Sequence, residues 1–137
     1  AAHFKQYEER TWEVIEKVGL KERAHTAART LPHGDQRKLE LGVILAPDPE
    51  VLMLDEPTAG MASEQVPELI ALIQGIQKVG NKTIMLVEHN MNVVMNVSDT
   101  ITVMHMGKVL AEGPPAAIAA DKEVQTAYLG GLYELNF

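Results

Sequence analysis

Asp55, Glu56 and His89 are residues whose types and placement could do chemistry together in this 137-residue chain. Asp55 and Glu56 end the apolar run Val51–Leu54, and Glu88 and His89 end the apolar run Thr83–Val87. A carboxylate at the end of an apolar strand is poorly solvated unless a cation or a donor meets it. Asp55 therefore suits a Mg²⁺ position, direct or through water. Glu56 suits a general base that takes a proton from an attacking water. Taken alone, these residues fit a plainer account as well. Asp55 would cap a loop, Glu56 would pair with a surface lysine, and a lone His89 would be structural.

The elements around them decide whether they meet. Val51–Leu54 is short and flanked by prolines, which favours a buried strand. Pro57–Ala62 reads as a loop. Ser63 is a candidate N-cap for a helix to Val79, with Val66, Leu69, Ile70, Leu72, Ile73 and Ile76 as its apolar stripe. Pro67 falls in its first turn, where proline is tolerated. Thr83–Val87 is a second buried strand. Strand, helix, strand is a βαβ unit, and its crossover makes the strands parallel. Parallel strands present their carboxyl ends on one edge, where α/β proteins bind ligands. Glu56 and His89 thus reach the same edge from 33 positions apart.

The flanking segments are mostly helical. Thr11–Val18 reads as a short helix with Trp12, Ile15 and Val18 on one side, ended by Gly19. A second runs from Lys21 to Arg29. A turn at Pro32–Gly34 leads into a helix over Asp35–Leu45, stopped by Pro47 and Pro49. Gly42 inside that helix costs about 1 kcal/mol relative to Ala. Downstream, Asn90–Val97 is helical, and strands Thr100–His105 and Lys108–Glu112 form a hairpin through Met106 and Gly107. Short helices follow Pro114–Pro115 and span Asp121–Leu129. The seven methionines are expected to fill irregular gaps in the core. His3, His25 and His105 have no motif around them and are read as structural.

Composition narrows the function classes. Hydrophobic residues make up 46% of the chain and aromatics 4%, so a real core is available and it must be aliphatic. A net charge of -7 argues against a nucleic-acid surface, which needs clustered Lys and Arg. The absence of cysteine excludes disulfides and thiolate metal sites. No apolar run approaches the roughly 20 residues that span a bilayer. Residues 1–10 have no apolar segment of the signal-peptide kind, and Ala1 in place of a starting Met leads us to expect processing or truncation.

Val51-Leu52-Met53-Leu54-Asp55-Glu56-Pro57-Thr58 resembles the Walker B strand of ATP-binding-cassette (ABC) ATPases, with the catalytic glutamate and its following Pro–Thr. Upstream, Leu31-Pro32-His33-Gly34-Asp35-Gln36-Arg37 resembles the ABC signature loop. Leu31 and Gly34 match the general form, and Pro32 and Asp35 agree with the variant of branched-chain and hydrophobic amino-acid importers. A glycine-containing turn leading into a helix presents N–H groups and a positive dipole end to an anion. In the family this loop reaches the γ-phosphate of ATP held by the opposite subunit. The resemblance implies that Leu31, Pro32, His33, Gly34 and Asp35 face the partner's nucleotide. The backbone at His33 and Gly34 would make the contact, because the Asp35 carboxylate is of like charge. Ala59-Gly60-Met61-Ala62 stands at the D-loop, with Gly60, Met61 and Ala62 as contacts, and Ala62 replaces the usual Asp or Asn. His89 resembles the switch histidine that contacts the γ-phosphate. Asn90-Met91, Ser98-Asp99, Val103, Gly107 and Gly113 continue the pattern.

The resemblance runs from about Thr11 to Leu129 and implies an α/β, partial P-loop NTPase fold that corresponds to the later half of the family's domain. Residues 1–34 would be the end of the helical subdomain and 35–137 the later part of the RecA-like core. It also implies ATP and Mg²⁺ as cofactors, a second ATPase subunit and membrane permease subunits as partners, and a cytoplasmic site on the inner face of the membrane. No Gly-x-x-x-x-Gly-Lys-Ser/Thr occurs in these residues, so this chain by itself is expected to bind ATP weakly. The Walker B strand without its usual neighbour would have an exposed edge and favour self-association. Two other classes stay open here. One is a non-catalytic interaction module, and the other is a DNA-repair or chromosome ATPase of the same superfamily.

Overall fold

A computed structural model describes residues 2–129 and shows two units, one up to Asn90 and one from Met91. In the first, β1 (Val51–Asp55) and β2 (Thr83–Val87) pair in parallel, from Val51 opposite Thr83 to Asp55 opposite Val87. The crossover between them runs through the helix α3 (Val66–Lys78), which follows α1 (Ala2–Lys17) and α2 (His33–Leu45) in chain order. The βαβ reading holds. The pairing also continues past the strand, because the Glu56 N–H donates to the Val87 carbonyl at 2.8 Å.

The strands are not buried on both faces, as their apolar runs suggested. Leu52 and Leu54 are buried, whereas Val51 and Met53 on the other face are 57% and 69% exposed, and Met85 and Val87 of β2 follow them. A two-stranded sheet has pleated alternation, so one set of side chains faces the core and the other is left outside. The methionines also depart from expectation. None is buried, and Met53, Met85, Met104 and Met106 are more than half exposed.

The helical segments differ in detail. α1 extends over 16 residues, starting well before Thr11. Its buried side is Val14, followed by Val18 just beyond the helix, while Trp12 is largely exposed and meets His25 edge-on. Gly19 ends it with φ 74°, a left-handed position open to glycine. The expected helix at Lys21–Arg29 is instead two single 3₁₀ turns, Lys21–Arg23 and Ala28–Thr30. Ser63 does not cap α3. The cap position is Gln65, without a side-chain hydrogen bond, and Pro67 lies in the first turn. The buried stripe of α3 is Val66, Leu69, Ile73 and Ile76, with Ile70 and Leu72 half-buried beside it.

Packing does not require glycine at position 42. It is buried in α2, and a Cβ built there lies 3.4 Å from Cγ1 of Val14 and Cγ2 of Val18. That is ordinary contact, not overlap. Gly42→Ala is therefore expected to stabilise the chain by about 1 kcal/mol through helix propensity, seen as a higher urea midpoint. A Leu at the same place would overlap the two valines and lower it.

The loop entering β1 is fastened to both neighbours. Arg10 donates to the Leu45 and Ala46 carbonyls at the end of α2, at 3.2 and 3.3 Å. Asp48, at φ 55°, accepts from Arg10 at 3.3 Å and from Lys82 at 2.8 Å, and Lys82 also reaches the Pro49 carbonyl at 2.7 Å. The hydrogen bond from Lys82 holds the Asp48 carboxyl below the usual carboxylate range, with the charges of Lys82 and Arg10 acting the same way. A carboxyl with a depressed folded value adds stability above its unfolded value, near 3.8, and loses it as pH falls through the folded one. Asp48→Asn is expected to lower thermal stability above about pH 4 and to change it little at lower pH, which flattens the acid limb of the profile.

The second unit holds α4 (Met91–Val97), β3 (Ile101–His105), β4 (Lys108–Gly113), α5 (Pro115–Ala120) and α6 (Lys122–Leu129). The strands are antiparallel, joined through Met106 at φ 49° and Gly107 at φ 77°. Two positive φ values in a two-residue loop match the twist of a hairpin. Ile101, Val103, Ile118 and Val124 form its core cluster, with Val94, Met95 and Leu110 packed against it. The Asp121 carboxylate caps α6, accepting from the N–H groups of Glu123 and Val124 at 2.8 and 3.0 Å. His105 ends β3 in an exposed position, and His3 lies among residues whose side chains are not described.

Candidate functional site

Glu56 and His89 meet at the carboxyl edge of the β1–β2 pair. Nδ1 of His89 is 3.4 Å from Oε1 of Glu56, and both side chains are more than half exposed. An open pair of this kind adds little stability. Its value is placement, since a carboxylate and an imidazole stand together with solvent access. Asp55, the last residue of β1, is also exposed. It lines a small cavity with Arg37, Glu40, Leu41, Met53 and Pro57.

Glu56 has a left-handed backbone, φ 44°. A residue with a Cβ adopts it only where the surroundings enforce it. Here the Glu56 N–H is bonded to Val87 and the Glu56 carbonyl accepts from the Ala59 N–H at 2.9 Å. The turn after Glu56 closes further through Met61 N–H to the Thr58 carbonyl at 3.1 Å, with Gly60 at φ 75°. Of the remaining turn residues, Met61 is half-buried and Ala62 exposed.

The Leu31–Asp35 turn enters α2 with Pro32 at the cap position and no side-chain cap hydrogen bond. The N–H groups of a first helical turn have no partner inside the helix, so this end suits an anion. Pro32 and His33 are exposed, while Leu31 and Gly34 are buried. Leu31 thus anchors the turn in the core. Asp35 turns to cations of its own chain, 2.9 Å from Arg23 and 3.6 Å from Lys38. Its carboxylate is neutralised locally. Lys38 in turn pairs with Glu68 of α3, whose carboxyl is held below its ordinary value by that hydrogen bond.

Gly34 sits under the Gln65 side chain. A Cβ at Gly34 would lie 2.6 to 2.8 Å from the Gln65 amide atoms, so glycine lets the side chain cross the turn. Arg37 of α2 donates to the Ala59 carbonyl at 3.2 Å, which links the same helix to the turn that follows Glu56.

Sequence reasoning missed Glu88, Thr58, Gln65 and Arg37. One oxygen of Glu88 accepts from the Thr58 N–H at 2.9 Å and from the Thr58 hydroxyl, and the other lies 3.3 Å from the Asn90 N–H. Thr58 is the one buried polar residue among those described. The available signal was Glu88 itself, a polar residue placed between an apolar strand and His89.

As a metal site, Asp55 supplies one carboxylate, and no cluster of three or more His, Cys, Asp or Glu side chains stands among the described residues. Mg²⁺ is commonly held by one or two carboxylates together with substrate phosphates and waters. One exposed strand-end carboxylate fits that donor set as a partial contributor.

Residues 2–59 match a family profile described as ABC transporter, and residues 108–133 match one described as branched-chain amino acid ATP-binding cassette transporter. The chain is 44% identical over 120 residues to the high-affinity branched-chain amino acid transport ATP-binding protein LivG of Escherichia coli, covering 88% of this chain and 46% of LivG. It is 42% identical over 116 residues to BraF of Pseudomonas aeruginosa, a protein of the same description, covering 85% of this chain and 46% of BraF. Among solved structures, the ADP conformation of MJ1267, an ATP-binding cassette of an ABC transporter, superposes with TM-score 0.81 at 26% identity, covering 91% of this chain and 50% of that one. The chain thus spans about half the length of the curated relatives it matches. Motifs, βαβ core and relatives agree: the chain is similar to the ATP-binding proteins of ABC transporters, those of branched-chain amino-acid transport among them.

Proposed function

We propose that this chain supplies the hydrolytic edge and the partner-facing turn of the ATP-hydrolysing subunit of an ABC importer, with branched-chain amino acids as the transported class. The observation that carries the reading is the Glu56–His89 pair at the strand edge. Glu56 takes the proton of the attacking water, and His89 donates toward the γ-phosphate and orients that water. Asp55 would hold Mg²⁺, and the ion would supply positive charge to neutralise the ATP phosphates. The Leu31–Asp35 turn meets the nucleotide of a second subunit through its exposed Pro32–His33 end, and Gly60, Met61 and Ala62 lie along the same partner face. Residues 1–34 belong to the end of the helical subdomain and 35–137 to the RecA-like core.

No described helix is long and apolar enough to cross a membrane. Attachment to the cytoplasmic face would therefore come through permease subunits. A DNA-directed ATPase is not favoured, given the net charge of -7 and relatives described by transport.

The test joins this chain to the part of LivG that it does not match. The hybrid is expected to hydrolyse ATP in a Mg²⁺-dependent way, and the 137-residue chain by itself to bind ATP weakly. A hybrid that binds Mg²⁺–ATP without hydrolysing it would support the non-catalytic reading instead. By itself the chain is also expected to self-associate, through the exposed row of Val51, Met53, Met85 and Val87 and the strand edges beside it. Light scattering across a concentration series checks this. Met53→Lys with Met85→Glu is expected to shift the chain toward monomer, and a monomeric parent chain at high concentration would contradict it.

A further inference from the structure

We propose that Glu88 and Arg37 are positioning residues. They grip the adjacent residues Thr58 and Ala59 from two different elements, and so hold the turn that keeps Glu56 in its left-handed backbone and in register with His89. The proposal rests on the hydrolytic reading of Glu56 and His89 given above, and it adds residues that act only through them.

Three features of the geometry point there. First, Glu56 occupies a conformation that its side chain disfavours, at φ 44°. Such a residue persists only where neighbouring bonds over-determine it. Its own N–H and carbonyl are tied to Val87 and Ala59, so its conformation depends on what fixes Ala59.

Second, two side chains from other elements anchor the turn. The Arg37 guanidinium donates to the Ala59 carbonyl from α2. Glu88 receives both donors of Thr58, the N–H and the hydroxyl, from the end of β2. A carboxylate accepting several N–H and O–H groups makes charge-assisted bonds, stronger than neutral ones. Thr58 is 8% exposed, so water competes poorly for these donors.

Third, Glu88 directly precedes His89, and its second oxygen lies 3.3 Å from the N–H of Asn90 directly after it. One carboxylate thereby references the turn after Glu56 to the segment that carries His89. Glutamine cannot do both jobs. Its amide has one acceptor oxygen, and its NH₂ would face a donor on the other side.

The experiment uses the LivG hybrid, measuring kcat and KM for ATP, together with amide exchange by NMR in the 137-residue chain. Glu88→Gln and Thr58→Val are each expected to lower kcat roughly tenfold, the scale of one lost hydrogen bond to a charged group. KM is expected to stay within about twofold, because no ATP contact is removed. The double variant is expected to lose no more than the worse single, since both remove one contact. Thr58→Ser, which keeps the hydroxyl, is expected to recover the rate lost in Thr58→Val. Arg37→Met is expected to lower kcat in the same direction. In the chain itself, Glu88→Gln is expected to speed exchange of the Thr58 amide while the amide of Ile73 keeps its rate. Parental kcat in Glu88→Gln, fully additive losses in the double variant, or faster exchange throughout α3 would each overturn the positioning role. Hydrolysis that survives Glu56→Gln would instead overturn the functional reading beneath it, so the two failures are separable.

Discussion

Glu56→Gln in the LivG hybrid is expected to leave ATP binding in place and to slow hydrolysis by about 100-fold or more. General-base catalysis contributes roughly 10²- to 10⁴-fold, and the substitution removes the base while keeping size and shape. The geometry favours a clean result. The Glu56 side chain is about half exposed and stands 3.4 Å from His89 as an open pair, so little structural energy depends on its charge. The left-handed backbone at Glu56 is held by backbone bonds that glutamine also makes. Parental turnover in this variant, with ATP binding checked by filter retention, would remove Glu56 from the chemistry. It would return Asp55 and Glu56 to the plainer account in which they are strand-end carboxylates.

Ile73→Ala is the expected change with the largest effect on stability, about 3 kcal/mol, since truncating a fully buried Ile loses transfer free energy and leaves a cavity. Ile73 is 0% exposed at the centre of the buried stripe of α3. That helix connects the turn after Glu56 to β2, so the loss also loosens the connection between the two strands that carry Glu56 and His89. The measurement is a urea midpoint followed by circular dichroism. A cost below about 1 kcal/mol would mean that the site collapses around the missing atoms. Ala71, exposed on the same helix, gives a control position: Ala71→Ser is expected to cost less than about 0.5 kcal/mol.

The β1–β2 pairing shows why part of the site was legible in advance. Two short apolar runs with a periodic helix between them leave few arrangements, and the parallel one puts Glu56 and His89 on one edge. Local chemistry was equally readable at the hairpin, where Met106 and Gly107 take the two positive φ values such a loop needs. The departures have a common cause. Apolar runs at β1 and β2 indicate strands but do not count the layers around them, so Val51, Met53, Met85 and Val87 came out exposed. Residues 21–29 carry enough polar residues for a helix and lack an apolar stripe to bury, which leaves two 3₁₀ turns.

The element types of the βαβ core, the edge where Glu56 and His89 meet, and the resemblance to ABC ATPases were legible in residue order, because strand order and short-range spacing are properties of the chain. How that edge is held follows from packing. Glu88 reaches Thr58 across 30 positions and Arg37 reaches Ala59 across 22. Gln65 covers Gly34 from a different element. These contacts join segments whose separation in sequence carries no periodic signal, and they depend on side-chain direction that only packing sets. The pair of residues that could do chemistry was visible as soon as the strands were. The acceptor and the guanidinium that keep Glu56 in a disfavoured backbone became visible only with the fold.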